Sequence, residues 1–126
     1  MELTRDMFLK VAPVQVTKVL VPELGGEVFV KGMTAKGRSA FEKQFQTIAG
    51  KSNKRKLQEI RERLVVACLC DGQGHLLLTD ADIDVVGDHP AGAIERIVTA
   101  AQVACGMTDV DVESMVGNSD EITTDS

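Results

Sequence analysis

Three times along the chain a hydrophobic residue is followed by threonine and then by a turn that carries acid: Leu3-Thr4-Arg5-Asp6-Met7-Phe8, Leu78-Thr79-Asp80-Ala81-Asp82-Ile83 and Met107-Thr108-Asp109-Val110-Asp111-Val112. Threonine at an N-cap accepts a hydrogen bond from a backbone N–H that the first helical turn leaves without a partner. Acids in that turn complement the positive end of the helix dipole, each contributing roughly 0.3 to 1 kcal/mol. The apolar residues on either side of the cap form a hydrophobic staple that fixes the entry of the chain. Each stretch therefore reads as the start of a short helix, and three of them commit the chain to an architecture rich in short, capped helices.

The remaining punctuation fills in the order of elements. The first helix runs from Thr4 through Val11 and is closed by Pro13. Val14 to Val21 and Glu27 to Lys31 are rich in β-branched residues, with Val14, Val16 and Leu20 or Val21 on one side of the turn and Val28 and Val30 on the other. Their connection, VPELGGE, holds Pro22 and Gly25-Gly26, so the segment predicts a β-hairpin. Thr34 to Ala49 places Phe41, Phe45 and Ile48 at helical spacing, with Lys36, Arg38, Lys43 and Gln44 opposite and Gly50 as terminator. A further helix from about Asn53 to Leu69 aligns Leu57, Ile60, Leu64 and Cys68, and opens on the basic run Lys54-Arg55-Lys56. Cations at a helix N-terminus oppose its dipole, so this start either frays or meets an acidic partner. A last long helix spans Pro90 to Cys105 and stops at Gly106. The expected fold is α+β: a mainly helical single domain of four to five helices with an N-terminal β-hairpin, over residues 1–116, followed by a flexible acidic tail, GNSDEITTDS, over 117–126. A chain of 126 residues suits one modest core.

The stretch CDGQGHLLLTDADIDVVGD, from Cys70 to Asp88, resembles a calcium loop at first sight because five aspartates sit beside a glycine-rich turn. An EF-hand needs oxygen ligands at positions 1, 3 and 5, glycine at 6 and a bidentate glutamate at 12. Counting from Asp80 puts Val85 at 6 and Ala91 at 12; setting Gly72 at 6 puts Ala67 and Leu69 at ligand positions and Leu78 at 12. Both registers fail where ligation demands oxygen or glycine. Asp71-Gly72-Gln73-Gly74 is better read as a turn, His75 to Leu78 as a short extended segment, and Thr79 as a cap.

Other chemistry is also excluded by pattern. Cys68, Cys70 and Cys105 lie in apolar surroundings, are odd in number and follow no secretory signal, which predicts free buried thiols. Cys68-x-Cys70 has neither the spacing of a redox CxxC pair nor, with His75 and His89, that of a structural zinc site. His89 precedes Pro90 at a helix start and reads as a cap or surface group. No nucleophile elbow, phosphate loop or dinucleotide fingerprint is present, so no catalytic residue, metal or cofactor is expected. No apolar run approaches the roughly 18 residues of a membrane span, and MELTRDMFLK lacks the character of a signal peptide, which predicts a cytoplasmic protein without a membrane partner. Charge is polarised along the chain: Lys31 to Arg63 is basic, whereas Asp71 to Ser126 is acidic with Arg96 its one base. The basic segment Lys51 to Arg63 invites a second reading, a small nucleic-acid-associated regulator. Against nucleic acid stand the net charge of −5, Glu59 and Glu62 on the same helix, and the absence of Trp and Tyr.

Taken in order, the motifs resemble the tail assembly chaperones of long, non-contractile-tailed bacteriophages. The resemblance is carried by LTRDMFL, by VPELGGEVFVKGMTAKGRSAFEK, by RERLVVACLCDGQGHLLLTDADIDVVGDHPAG and by AIERIVTAAQVACGMTDVDVE. It implies a non-catalytic chaperone in the host cytoplasm, absent from the mature virion, that binds the tape measure protein, keeps it soluble and delivers it for tail-tube polymerisation. It also implies a homo-oligomer, contact with the tail tube protein, and a longer form of the chain produced by programmed frameshifting, with the acidic end after Val116 belonging to the short form. Candidate client- or self-association residues are Val28 and Val30 on the hairpin, Phe41 and Phe45 on the following helix, and the basic Lys54, Arg55, Lys56 and Arg61. For the two phenylalanines the competing role is the core.

Overall fold

The computed structural model describes residues 1–45 and 54–107, with the backbone alone at Lys54 and Arg55. The end of the helix at Ile48 and Gly50, the start at Asn53, the capped helix after Thr108 and the acidic tail lie outside the described residues. Among the described residues the fold is α+β and mainly helical, with a three-stranded antiparallel sheet begun by an N-terminal hairpin.

The first helix, α1, is Arg5–Leu9. The Thr4 hydroxyl caps it, accepting the Met7 N–H at 3.3 Å. It ends two residues before the expected Val11, and its staple does not close onto the body: Leu3 and Phe8 are both largely exposed. Strands β1 (Val16–Val21) and β2 (Gly26–Lys31) form the expected hairpin, in a register that pairs Val19 with Val28 and Thr17 with Val30. A turn of 3₁₀ helix at Pro22–Leu24 connects them, and Gly25 completes the reversal at φ +73°, where a side chain would be strained. Successive side chains alternate, so the inward face is Val19 and Val21 with Val28 and Val30, while Val16 and Leu20 point outward and are exposed. Leu20 and Val21 are both apolar, and only the partner strand's register separates them.

Helix α2 (Ala35–Lys43) starts at Thr34, whose hydroxyl accepts the Gly37 N–H at 3.0 Å. The single helix expected from Asn53 to Leu69 is instead α3 (Lys54–Gln58) and α4 (Ile60–Cys68), broken at Glu59, followed by a two-residue strand β3 (Leu69–Cys70). β3 pairs antiparallel with Phe29 and Val30 of β2 and sets the strand order β1-β2-β3. The turn after it is as expected: Asp71 accepts the N–H groups of Gln73 and His75 at 2.9 and 3.0 Å, which also holds its carboxyl below the usual aspartate range. Asp82 likewise serves the backbone, accepting the Thr79 N–H at 2.8 Å ahead of α5 (Ile83–Gly87). These two carboxylates are thus engaged by local N–H groups, as turn and helix-start residues should be. Helix α6 (Ala91–Ala104) begins after Pro90 and ends at Cys105 and Gly106.

The core lies where α4 and α6 cross beneath the sheet. Leu64, Val65 and Cys68 of α4 meet Ile94, Ile97, Val98 and Ala101 of α6, with Val21 and Val30 above and Ile83 and Val86 closing one end. Phe41 and Phe45 pack edge to face at 5.1 Å between ring centres. Each fully buried aliphatic or aromatic side chain contributes about 1.5 to 3 kcal/mol. At the C-terminal end of α6 the packing is backbone to backbone: a β-carbon on Gly32 would collide with the Ala104 carbonyl oxygen, so only glycine lets the end of β2 lie against α6.

Candidate functional site

Two exposed apolar side chains, Leu20 and Val103, stand where β1 runs alongside α6. The inward side chains of β1 fill the core, but its outer residue Leu20 does not, and α6 is longer than the sheet needs to cover. The result is an open groove of about 660 Å³, with Thr17, Val19 and Leu20 on one wall and Thr99, Ala100 and Val103 on the other. Leu20 is 68% exposed and Val103 76%, so large apolar side chains stand at the groove's edges. Solvent-exposed apolar groups grouped in a concavity are what a partner's apolar face can cover.

Charge frames one end of this groove. Arg96 on α6 donates through Nε to both carboxylate oxygens of Glu23 on the hairpin connection, at 2.9 Å each. The guanidinium holds the Glu23 carboxyl below the ordinary glutamate range. The bond ties the turn of the hairpin to the helix and keeps the two walls at fixed separation, with Glu95 beside it on the rim.

A second apolar feature is the N-terminal arm. Met7, Phe8, Leu9 and Val11 lie in solvent at 40, 76, 59 and 91% exposure, and no residue of α1 is buried. This arm and the groove's Leu20 and Val103 are among the exposed apolar residues that the sequence does not single out. The signal for the arm was present as apolar residues flanking a capped helix, but that pattern is shared with helices that do pack.

The residues selected from sequence are distributed differently. Val30, Phe41 and Phe45 are in the hydrophobic core, and Val28 is half-buried against it, so in this conformation none of the first three offers a surface to a partner. The physical reason is periodicity: the inward face of β2 and the apolar stripe of α2 are the parts that the rest of the chain covers. The side chains of Lys54 and Arg55 lie outside what is described, Lys56 is half-buried, and Arg61 is exposed with its Nε 3.5 Å from Glu95 of α6. Arg63 reaches Glu59 at 3.5 Å and donates to the Gln44 amide oxygen at 3.1 Å. Arg61, further along, thus meets an acid from the second half of the same chain, while the side chains of Lys54 and Arg55, where fraying or an acidic partner is expected, lie outside the described residues. Among the described residues no group of three or more His, Cys, Asp or Glu side chains could hold a metal ion, and no helix is long and apolar enough to cross a membrane.

No family model and no curated protein matches the sequence. Among solved structures, the fold is similar to that of the tail assembly chaperone of bacteriophage HK97, with a TM-score of 0.50 and 17% identity, over 71% of this chain and 84% of that one.

Proposed function

We propose that the chain is a non-catalytic tail assembly chaperone of a long-tailed bacteriophage. In this role it binds the tape measure protein in the host cytoplasm, keeps it soluble and hands it over as the tail tube polymerises, without remaining in the mature virion. The observation that carries this reading is the shared fold with the HK97 tail assembly chaperone. The order of motifs along the sequence supports the same family independently of the overall shape.

The groove supplies a physical means. A tape measure protein is long and largely helical, and an amphipathic helix presents apolar side chains at successive turns. Such a stripe can lie between Leu20 and Val103 while polar residues of the client face Glu23, Glu95 and Arg96 at the rim. The exposed arm, with Phe8 and Leu9, offers a further apolar contact to the client or to another copy. A homo-oligomer, a longer frameshifted form and contact with the tail tube protein belong to the same proposal. Lys54, Arg55 and Lys56 supply positive charge for a client or a second copy, and Val28 reaches a partner only at its exposed edge.

Co-expression tests it. A tape measure protein that is insoluble alone should become soluble and co-purify with this chain, and Leu20→Glu with Val103→Glu should reduce the recovered complex at least tenfold, while the variant stays folded. A client that remains insoluble beside the folded wild-type chain would overturn the reading. Retention of duplex DNA by the chain alone, weakening steeply with salt, would favour the regulator instead.

A further inference from the structure

The C-terminal ends of α4 and α6 bring together two thiols that are distant in sequence. Cys68 ends α4 and is fully buried; Cys105, at the cap of α6, is 9% exposed. Their sulfur atoms are 3.5 Å apart, across 37 positions of sequence. That is hydrogen-bonding contact between thiols, and roughly 1.5 Å more than the length of a disulfide bond. Backbone motions of that size are small for helix ends, and both ends belong to the same packed pair of helices.

The two sulfurs are in unequal surroundings. The contact with Cys68, in which either sulfur can donate, a hydrogen bond from the Met33 backbone N–H and the nearby Arg38 guanidinium draw the Cys105 thiol down to about 7. Cys68, against Cys105 and buried, is pushed up. Arg38 is held at this spot, donating through Nη1 to the Gly106 carbonyl at 3.4 Å. The pair thus consists of a thiolate-prone sulfur at the opening and a protonated one behind it, which is the arrangement of an attacking and a resolving thiol. Cys70, in β3, is buried and its thiol is raised by burial.

We propose that Cys68 and Cys105 form an oxidation site at which hydrogen peroxide converts the dithiol to an intramolecular disulfide. The Cys105 thiolate attacks the peroxide oxygen, an S–O bond forms, the O–O bond breaks, and the leaving oxygen takes a proton to depart as water. The Cys68 sulfur then attacks the Cys105 sulfenic acid; the S–S bond forms, the S–O bond breaks, and the Cys68 proton leaves with the second water. The dithiol loses two electrons and the peroxide gains them. The link would clamp the end of α6, and with it Gly106, Met107 and the chain beyond, to the end of α4.

The test is to treat the purified full chain with hydrogen peroxide, alkylate the remaining thiols and map the peptides by mass. The expected product is a monomer in which the Cys68 and Cys105 peptides are joined, Cys70 alone is alkylated, and Tm is raised until a reductant restores it. Cys70→Ser should give the same link and Cys105→Ser none. Three alkylated cysteines after treatment, sulfinic acid at Cys105 beside a free Cys68, or a link through Cys70 would each overturn the proposal. The wild-type map decides even if Cys105→Ser does not fold.

Discussion

At Thr4 and at Thr79 the chain starts a helix with the same hydrophobic-threonine-acid pattern, yet the two helices end in opposite environments. α5 sets Ile83 and Val86 into the core and Leu78 against it. α1, equally short and also capped, buries nothing. Capping satisfies backbone groups and decides where a helix begins; it does not decide what the helix packs on. At Thr79 the preceding strand β3 and the helix α4 deliver the segment onto a prepared apolar surface. At Thr4 the next element is the extended stretch before Pro13, which carries α1 away from the body. The same local pattern thus builds core in one place and leaves an exposed apolar arm in the other.

The contrast can be broken most strongly in the packed region. Ile97→Ala, at a position 2% exposed, should cost about 2 to 5 kcal/mol of unfolding free energy in urea titration. Phe8→Ala, though it removes a larger side chain, should stay within about 0.5 kcal/mol. Gly32→Ala comes next, at about 1 to 3 kcal/mol, because the added carbon meets the Ala104 backbone, which cannot rotate away as a side chain would. The caps should then separate the two helices: Asp82→Ala removes the acceptor of the Thr79 N–H and should cost about 1 kcal/mol, whereas Thr4→Ala should leave global stability unchanged within about 0.5 kcal/mol.

The smallest effect is electrostatic. The carboxyls of Glu23 and Asp71 titrate below their ordinary values, Glu23 because it pairs with Arg96 and Asp71 because it accepts the His75 and Gln73 N–H groups. Their stabilisation is complete above the unfolded-state carboxylate pKa of about 4 and is lost as pH falls through the lower folded values. Stability should therefore decline on acidification below pH of about 4, and Glu23→Gln should flatten part of that decline. A Glu23→Gln profile parallel to the wild type across that range would show that the Arg96 bond does not contribute.

Much of the fold was legible because its signals are local. Threonine caps, the Pro22 to Gly26 connection and the limits of α6 at Pro90 and Gly106 are each written within a few residues. Some differences involve a partner distant in sequence. Leu69 and Cys70 continue an apolar helical run, and only pairing with Phe29 and Val30 draws them into a strand. Leu20 and Val21 look alike as apolar neighbours until register with β2 decides which faces the core. The candidate site was less legible still. Val30, Phe41 and Phe45 were selected for being apolar and periodic, the properties that bury them, whereas Leu20 and Val103 stand out only once β1 and α6 are side by side.

The two-residue strand β3 has a consequence in time. The β1-β2 hairpin is local and closes within about 1 to 10 μs. The far edge of β2 is paired only when Leu69 and Cys70 arrive, after α2, α3 and α4 have formed in between. On a ribosome adding about 5 to 20 residues per second, that interval lasts on the order of seconds. Throughout it the nascent chain carries an open strand edge, the feature most prone to pairing with a neighbouring chain. The shortest strand in the molecule is thus also the one that ends its most aggregation-prone moment.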